Sequence, residues 1–152
     1  MRSRFQKVMK NQKGMTLVEL LAVIVILAIV TAIAVPSVGG LINKSRTDAH
    51  ISNGLMIINA AKIGVAAQDD KILPSSTGTR DLKLSELVSA GYLDNIPQDP
   101  SKKGDKYNDE KSKVTITKDS NGKYNYTIVL VSSGGTEVVN ADESKLNAGN
   151  AK

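Results

Sequence analysis

Apolar residues fill one unbroken stretch near the start of the chain. The 21 residues that begin at Met15 are apolar at all but three positions, which are Thr16, Glu19 and Thr31. A helix of that length rises roughly 30 Å, about the thickness of the hydrocarbon core of a bilayer. The pattern therefore predicts a hydrophobic transmembrane helix over residues 15–36.

A proline and two glycines then change the pattern. Proline costs a helix interior about 3 kcal/mol or more, and glycine weakens it further, so we expect the helix to kink or melt locally at Pro36, Gly39 and Gly40. Beyond them, apolar residues recur at mostly three-to-four spacing, which predicts an amphipathic continuation of the helix over residues 37–68. Its apolar positions are Leu41, Ile51, Leu55, Ile58, Ile63 and Ala66.

Residues that favour turns end this helix and open a connection to the next part of the chain. The connection covers residues 69–112 and is rich in Asp, Lys, Ser, Gly and Pro. Closely spaced leucines within it predict a short helix, Leu84–Ala90, with Gly91 as its C-terminal stop. Residues 141–152 are polar, and we expect them to form a flexible tail.

Alternating residues predict an antiparallel β-meander of three strands over residues 113–140. Asp119-Ser120-Asn121-Gly122 provides the first turn. In the strand that follows, one face is predicted to carry Tyr124, Tyr126, Ile128 and Leu130. A long helix and a small sheet each lack another apolar partner, so the sequence predicts an α+β fold in which they pack together.

The positive charge of the chain is concentrated in a leader over residues 1–14. The net charge of the whole chain is +5, and the leader holds five basic residues and no acid. The remainder is therefore neutral, so its charge does not point to nucleic acid. Basic residues beside an apolar run are typical of a cytoplasmic flank.

One carboxylate lies inside the apolar run. An acid at the centre of a membrane helix costs roughly 2.5–3.5 kcal/mol on insertion scales, so Glu19 is a candidate functional residue. Gly14, at the border between the basic leader and the apolar run, offers a protease a place to cut. If Glu19 has no such role, it is a flank residue at the membrane edge.

Candidate chemistry elsewhere in the chain is sparse. The chain has no cysteine, which excludes disulfides and thiolate sites. The only histidine, His50, is expected to be solvated, and no catalytic or metal-spaced cluster is recognisable, so neither an enzyme nor a cofactor is predicted. The carboxylates of Asp105, Asp109 and Glu110 are more typical of a solvated loop than of a calcium site. Surface lysines with Tyr124 and Tyr126 permit nucleic-acid binding without indicating it.

The residues around Gly14 resemble the leader motif of the type IV pilins and pseudopilins. Gly14 matches the residue before the prepilin-peptidase cut, and Met15 would become the new N-terminus, a position that is often Phe in the family. Glu19 would be the fifth residue of the processed chain. Pro36 lies where the helix of the family carries a proline. The close match covers about residues 10–36, and the order of helix and sheet extends it more weakly.

This resemblance implies a pilin fold and a structural role in a helical homopolymer, the pilus, with adhesion or motility as its use. It implies cleavage after Gly14 by prepilin peptidase, N-methylation of Met15, and filament assembly through Met15, Thr16 and Glu19. The further partner is an assembly platform with a cytoplasmic ATPase. The precursor would be a single-pass protein of the cytoplasmic membrane, and the assembled subunit would lie on the cell surface. The lack of cysteine fits the Gram-positive pilins.

Three alternatives remain open from the sequence. The first is a pseudopilin of a secretion or competence DNA-uptake system. The second is a conventionally secreted protein, because Ala32-Ile33-Ala34 fits a signal-peptidase site with Val35 as the first mature residue. The third is an uncut single-pass anchor.

Overall fold

The computed structural model describes the backbone of residues 2–74 and 78–152, and the side chains of residues 16–74 and 78–152. The side chains of the leader and of Met15 therefore lie outside the described residues. The chain forms two compact units, Met1–Asn43 and Lys44–Lys152. Helix α1 (Arg2–Ala66) supplies the first unit and the beginning of the second, which we call the head.

In the head, the end of helix α1 packs with a four-stranded antiparallel sheet. The strand order is β1-β2-β3-β4, the same as the order along the chain. This arrangement confirms the predicted α+β fold. The elements are β1 (Thr79–Lys83), α2 (Leu84–Ser89), β2 (Lys113–Lys118), β3 (Tyr124–Val131), β4 (Glu137–Asp142) and α3 (Glu143–Asn147).

Strand β3 lies inside the sheet and shows the predicted alternation. Tyr126, Ile128 and Leu130 are buried on the face that meets the core, while Tyr124 is partly exposed. Val131, which the alternation placed on the opposite face, is also buried. The pairing of β3 with β4 shifts register between Leu130 and Val131. A β-bulge of this kind turns consecutive side chains toward the same side, which a strict period of two does not anticipate.

Strand β1 is an addition to the predicted meander of three strands. Its residues pair with β2 from Thr79 opposite Thr117 to Lys83 opposite Lys113. Leu82 is the single fully buried side chain of this strand. Five residues with one apolar position give little periodicity, so the sequence assigned this segment to the connection. Short helix α2 follows directly, and Gly91 ends it with φ of 79°, as its sequence predicted.

Small residues let helix α1 approach the rest of the head closely. A Cβ atom at Gly54 would lie 3.3 Å from Leu146 Cδ1 and 3.6 Å from Ile128 Cγ2. The core that forms between helix and sheet is aliphatic, with two buried tyrosines, Tyr107 and Tyr126. Its fully buried large side chains are Ile57, Ile58, Ile72, Leu82, Leu84, Leu87, Val114, Ile116, Ile128, Leu130, Val139 and Leu146.

The buried face of helix α1 differs from the predicted apolar stripe. Ile51 and Ile58 are buried as expected, but Ile63 is 59% exposed and Ala66 is exposed. The face that contacts the core continues from Ile58 to Ala61, Gly64 and Val65. Glycine and alanine contribute little to a hydrophobic pattern. The sequence pattern therefore selected the larger Ile63 instead of its neighbour Gly64, which contacts the core.

The last residues of the chain are tied to the sheet, unlike the flexible tail that the sequence predicted. Asp142 caps helix α3 by accepting a hydrogen bond from the Lys145 amide at 2.9 Å. Leu146 on this helix is 1% exposed. The Asn140 amide donates to the Ala151 carbonyl at 2.7 Å, which covers part of the outer edge of β4. One buried leucine and one cap therefore order a segment whose composition is polar.

Lys62 links three elements of the head. Its ammonium group pairs with Glu143 Oε1 at the start of α3. The same group lies 5.5 Å from the centroid of the Tyr126 ring on β3. A cation placed over an aromatic face is attracted by the ring quadrupole. This one side chain on helix α1 therefore contacts both the sheet and the last helix.

Candidate functional site

The first unit exposes apolar side chains around the whole circumference of its helix. Between Thr16 and Asn43 every described residue is exposed, including Leu17 at 69% and Ile33 at 70%. Helix α1 contains a window of mean hydropathy 3.0 and is long and apolar enough to cross a bilayer. A helix that is apolar all round needs either lipid or other helices to cover it. We call residues 16–43 the apolar segment.

Two hydroxyl groups of the apolar segment are satisfied within the helix itself. Thr31 Oγ1 donates to the Leu27 carbonyl at 2.7 Å, and Ser37 Oγ donates to the Ile33 carbonyl at 3.2 Å. Ser and Thr in apolar surroundings commonly bond the carbonyl four residues earlier. These two polar residues therefore add little cost to placing the segment in an apolar environment.

Glu19 is exposed among these apolar side chains. Among the residues whose side chains the structure describes, its carboxylate has no ion-pair partner. Thr16 lies three positions earlier, on a neighbouring part of the helix surface. Gly14 and the Met15 side chain, which the sequence links to processing, are outside the described residues. Any ion-pair partner of this carboxylate would therefore have to come from outside these residues.

Helix α1 continues through the predicted point of weakness. Pro36, Gly39 and Gly40 all have helical backbone. A Cβ atom at either glycine would meet no heavy atom within 4 Å. The predicted kink or local melting at these residues stays a prediction.

A buried polar cluster in the head corrects the expectation for His50. The ring is 5% exposed instead of solvated. Its Nδ1 lies 2.7 Å from the Tyr107 hydroxyl, and its Nε2 lies 2.8 Å from Ser101 Oγ. Asn53 Nδ2, one turn along the helix, donates to the same Tyr107 hydroxyl at 3.2 Å. The sequence carried one signal for this burial, since His50 lies four residues before Gly54 on the inner helix face.

One tautomer of His50 gives every hydrogen-bond donor of this cluster an acceptor. Since Asn53 donates to the Tyr107 oxygen, the arrangement is complete when the Tyr107 hydroxyl donates to His50 Nδ1. The ring proton then lies on Nε2 and is donated to Ser101 Oγ. In this tautomer His50 cannot accept a proton from Ser101. The short distance between the two side chains is therefore not that of a nucleophile and its general base.

Burial favours the neutral form of His50. Desolvation lowers the pKa of His50 below its usual value, and the charge of Asp99 opposes this shift less strongly. Asp99 Oδ1 lies 3.9 Å from His50 Nε2 and accepts the Ser101 amide at 2.8 Å. Asp99 Oδ2 is buried without a hydrogen-bond partner in the described structure. Burial also raises the pKa of Tyr107 to about 12.

The loop carboxylates are engaged separately by protein groups. Asp105 accepts a hydrogen bond from Ser133 Oγ at 2.7 Å, and Asp109 accepts the Ser85 amide at 2.7 Å. Glu110 pairs with Lys83 at 2.7 Å. Within residues 16–74 and 78–152, no group of three acidic or histidine side chains is placed to hold a metal ion.

The two tyrosines considered for base stacking both lie under lysine side chains. Lys62 covers the Tyr126 ring, which is 7% exposed. The Lys118 ammonium group lies 5.3 Å from the centroid of the Tyr124 ring. Tyr126 thus serves the core, as expected of a tyrosine on the inner sheet face. The buried Tyr126 ring presents no open face on which a base could stack, whereas Tyr124 is partly exposed.

A long helix that carries an exposed apolar segment and contributes its last turns to a small α+β head defines a pilin-like subunit. Comparisons with known proteins agree. A model of the prokaryotic N-terminal methylation motif matches residues 9–35. The chain is 36% identical over 96 residues to fimbrial protein Q of Moraxella bovis, covering 55% of this chain and 61% of that protein. No solved structure matches the chain significantly.

A second relative extends the similarity. The chain is 31% identical over 106 residues to type II secretion system core protein G of Klebsiella pneumoniae, covering 60% of this chain and 71% of that protein. The chain belongs to the type IV pilin and pseudopilin family.

Proposed function

We propose that this chain is a structural subunit that is cut after Gly14 and polymerises into a type IV pilus-like filament through its N-terminal helix. The observation that carries the proposal is the apolar segment, which is exposed on every side and holds one acid near its start. Contacts with the same segment of neighbouring subunits would cover it. The matched methylation motif supports processing at the predicted position.

Cleavage would leave two charges in an apolar environment. The new α-ammonium group at Met15 has an ordinary pKa of about 8, so it is mostly charged at neutral pH. Glu19 lies four residues further along the helix. Unpaired buried charge is far more costly than paired charge. The ammonium group of an incoming subunit therefore pairs with Glu19 of a docked neighbour, which fixes their axial register.

Processing and assembly require partners outside the chain. Prepilin peptidase would cut the precursor and methylate Met15, and an assembly platform with a cytoplasmic ATPase would extract it from the membrane. The precursor would be held in the cytoplasmic membrane by residues 15–36, with the basic leader on the cytoplasmic side. The filament would lie on the cell surface. The role is structural rather than catalytic, and the relatives, a fimbrial protein and a secretion-system core protein, support this.

The first residue of the mature protein tests the proposal. We expect N-terminal sequencing and intact mass of protein from its native host to give a methylated Met15. A chain that retains the basic leader would identify an uncut anchor. A chain that begins at Val35 would identify a conventional signal peptide, and either result would contradict the proposal.

A pseudopilin is the second candidate, because one relative is named as a type II secretion protein. The two roles share cleavage and assembly but differ in filament length. Electron microscopy of material sheared from cells would show long filaments of this chain for a pilin. Their absence from cells in which Met15 is the first residue would favour the pseudopilin.

A further inference from the structure

The buried cluster around His50 plays no part in the proposed polymerisation through the apolar segment. It joins helix α1 to the loop of residues 97–107. His50 contacts Tyr107 and Ser101 of this loop, and Asn53 donates to Tyr107 and to the Gln98 carbonyl at 3.3 Å. We call this set of side chains the clasp. Every hydrogen bond described between helix α1 and the loop belongs to it.

The loop is closed on itself independently of the clasp. The Asp99 amide donates to the Asp105 carbonyl at 2.8 Å, and the Tyr107 amide donates to the Pro97 carbonyl at 3.3 Å. Its far end is fixed to the sheet, because the next amide, that of Asn108, donates to the Val131 carbonyl at 2.8 Å. Loss of the clasp would therefore expose Tyr107, which is 3% exposed in the folded head, and these few loop bonds to solvent, while the strands of the sheet stay paired.

We propose that the clasp is acid-sensitive: protonation of His50 releases the loop of residues 97–107 from helix α1 while the sheet stays folded. A proton from solvent can add only at Nδ1, because Nε2 already carries one. Nδ1 then becomes a donor that faces the donating hydroxyl of Tyr107. That hydroxyl must turn away from Nδ1, and its buried proton then loses the acceptor that it has in the neutral cluster. The buried hydrogen-bond arrangement that is complete at neutral pH is incomplete in acid.

The charges around the ring act in opposite directions. Asp99, which belongs to the loop, lies 3.9 Å from Nε2 and attracts an imidazolium, so its charge opposes release, whereas burial of the ring favours release more strongly. Lys102 and Asp105 in the loop lie 3.9 Å apart and largely offset each other. On helix α1, Arg46 and Asp48 are both exposed. Asp99 and Tyr107 are thus the titratable groups that face the ring.

Hydrogen exchange on the full chain in detergent micelles tests the proposal. Amide protection of residues 98–107 and of strand β3 is compared at pH 7.5 and pH 5.0, after correction for the intrinsic pH dependence of exchange. We expect protection of the loop to fall on the order of tenfold at pH 5.0, since opening gives His50 its ordinary pKa near 6.5. Protection of β3 should stay constant.

The variant His50→Gln supplies the main control, because it keeps a donor and an acceptor but cannot titrate. Its loop protection should be equal at the two pH values, whereas Ser52→Ala, at an exposed neighbour, should behave like the unsubstituted chain. If the glutamine variant does not fold, the variant Tyr107→Phe replaces it as the test of acid sensitivity. It removes the opposing hydroxyl, so the acid response should shrink and the pKa of the single imidazole, followed by NMR, should rise.

Two results would overturn the proposal. One is unchanged loop protection at a pH where NMR shows that the imidazole is charged. The other is a full acid response in His50→Gln, or in Tyr107→Phe where that variant decides. Neither result bears on polymerisation, which is judged by the mature N-terminus and by the filaments.

Discussion

Glycine at position 64 determines how closely helix α1 can approach the loop that follows it. A Cβ atom at Gly64 would lie 2.9 Å from Ile72 Cγ1 and 3.2 Å from Tyr92 Cε2. Contacts below 3 Å between carbon atoms require a neighbour to move, and Ile72 is fully buried. The absence of a side chain is therefore a packing requirement at this position, although glycine lowers helix propensity.

We predict that Gly64→Ala destabilises the head. Overpacking costs typically ~1–3 kcal/mol, which we expect to exceed the helix-propensity gain of up to ~1 kcal/mol. The matched control is Gly39→Ala, where the added methyl group meets no heavy atom within 4 Å. Thermal unfolding of the head, followed by circular dichroism in micelles, should show a lower midpoint for the first variant only. Equal midpoints would show that Ile72 yields without cost.

We predict that Tyr107 makes the head less stable at alkaline pH. Burial raises its pKa to about 12 in the folded state, above the value near 10 expected for an unfolded chain. Its contribution to stability is therefore complete below pH 10 and is lost as the pH rises from 10 toward 12. Urea unfolding at pH 8 and pH 11 should show a smaller alkaline loss in Tyr107→Phe than in the unsubstituted chain. An equal loss would mean that Tyr107 does not cause this loss of stability.

At the scale of elements, the sequence predicted best where several signals agreed. Three features illustrate this: the turn at Asp119–Gly122, the end of helix α2 at Gly91 and the inner face of β3. In each, the periodicity agreed with residues suited to the local backbone conformation. Strand β1 and helix α3 were missed because each buries a single leucine, Leu82 or Leu146, between polar residues. One apolar position defines no period, so only tertiary contacts decide the structure there.

The clasp was missed for a different physical reason. His50 was assigned to solvent from its neighbours along the helix, whereas its main partner, Tyr107, is 57 residues away. Hydrogen bonds between side chains so distant in sequence leave no local pattern. By contrast, the candidate assembly site was predictable, because a lone acid in an apolar run is visible in the sequence itself.

We predict that helix α3 contributes to stability far beyond its length. Leu146→Ala removes a side chain that is 1% exposed, and such changes cost about 2–5 kcal/mol. Asn147→Ala, at the next and exposed position, is the matched control. Urea unfolding should separate the two variants clearly. Similar stabilities would indicate that the end of the chain is frayed after all.

A second prediction at this scale concerns the helix around Pro36. Proline removes one backbone hydrogen bond, and two nearby glycines weaken the helix further. We expect amides of residues 33–41 to exchange faster in assembled filaments than those of residues 20–30. Strong protection across 33–41 in filaments would contradict local melting there. The variant Gly39→Ala should slow the exchange if the glycines contribute.

At the scale of the whole molecule, assembly and head stability should respond to different substitutions. Glu19 lies in the first compact unit and the core of the head lies in the second. We predict that Glu19→Gln abolishes filaments and leaves thermal unfolding of the head unchanged, because it removes only the charge that we propose to pair with Met15. Asp48→Asn, an exposed acid of the same helix, should leave both unchanged. Normal filaments from Glu19→Gln would refute the proposed charge pairing.

The position of Lys62 also allows the head to be cross-linked chemically. Its amine and the carboxylate of Glu143 are already in contact, although 81 residues separate them in sequence. A carbodiimide would condense the two groups into an amide with loss of one water. The product would contain a covalent ring that joins helix α1 to helix α3. Peptide mapping of the cross-linked protein would show directly which end of the chain folds against which helix.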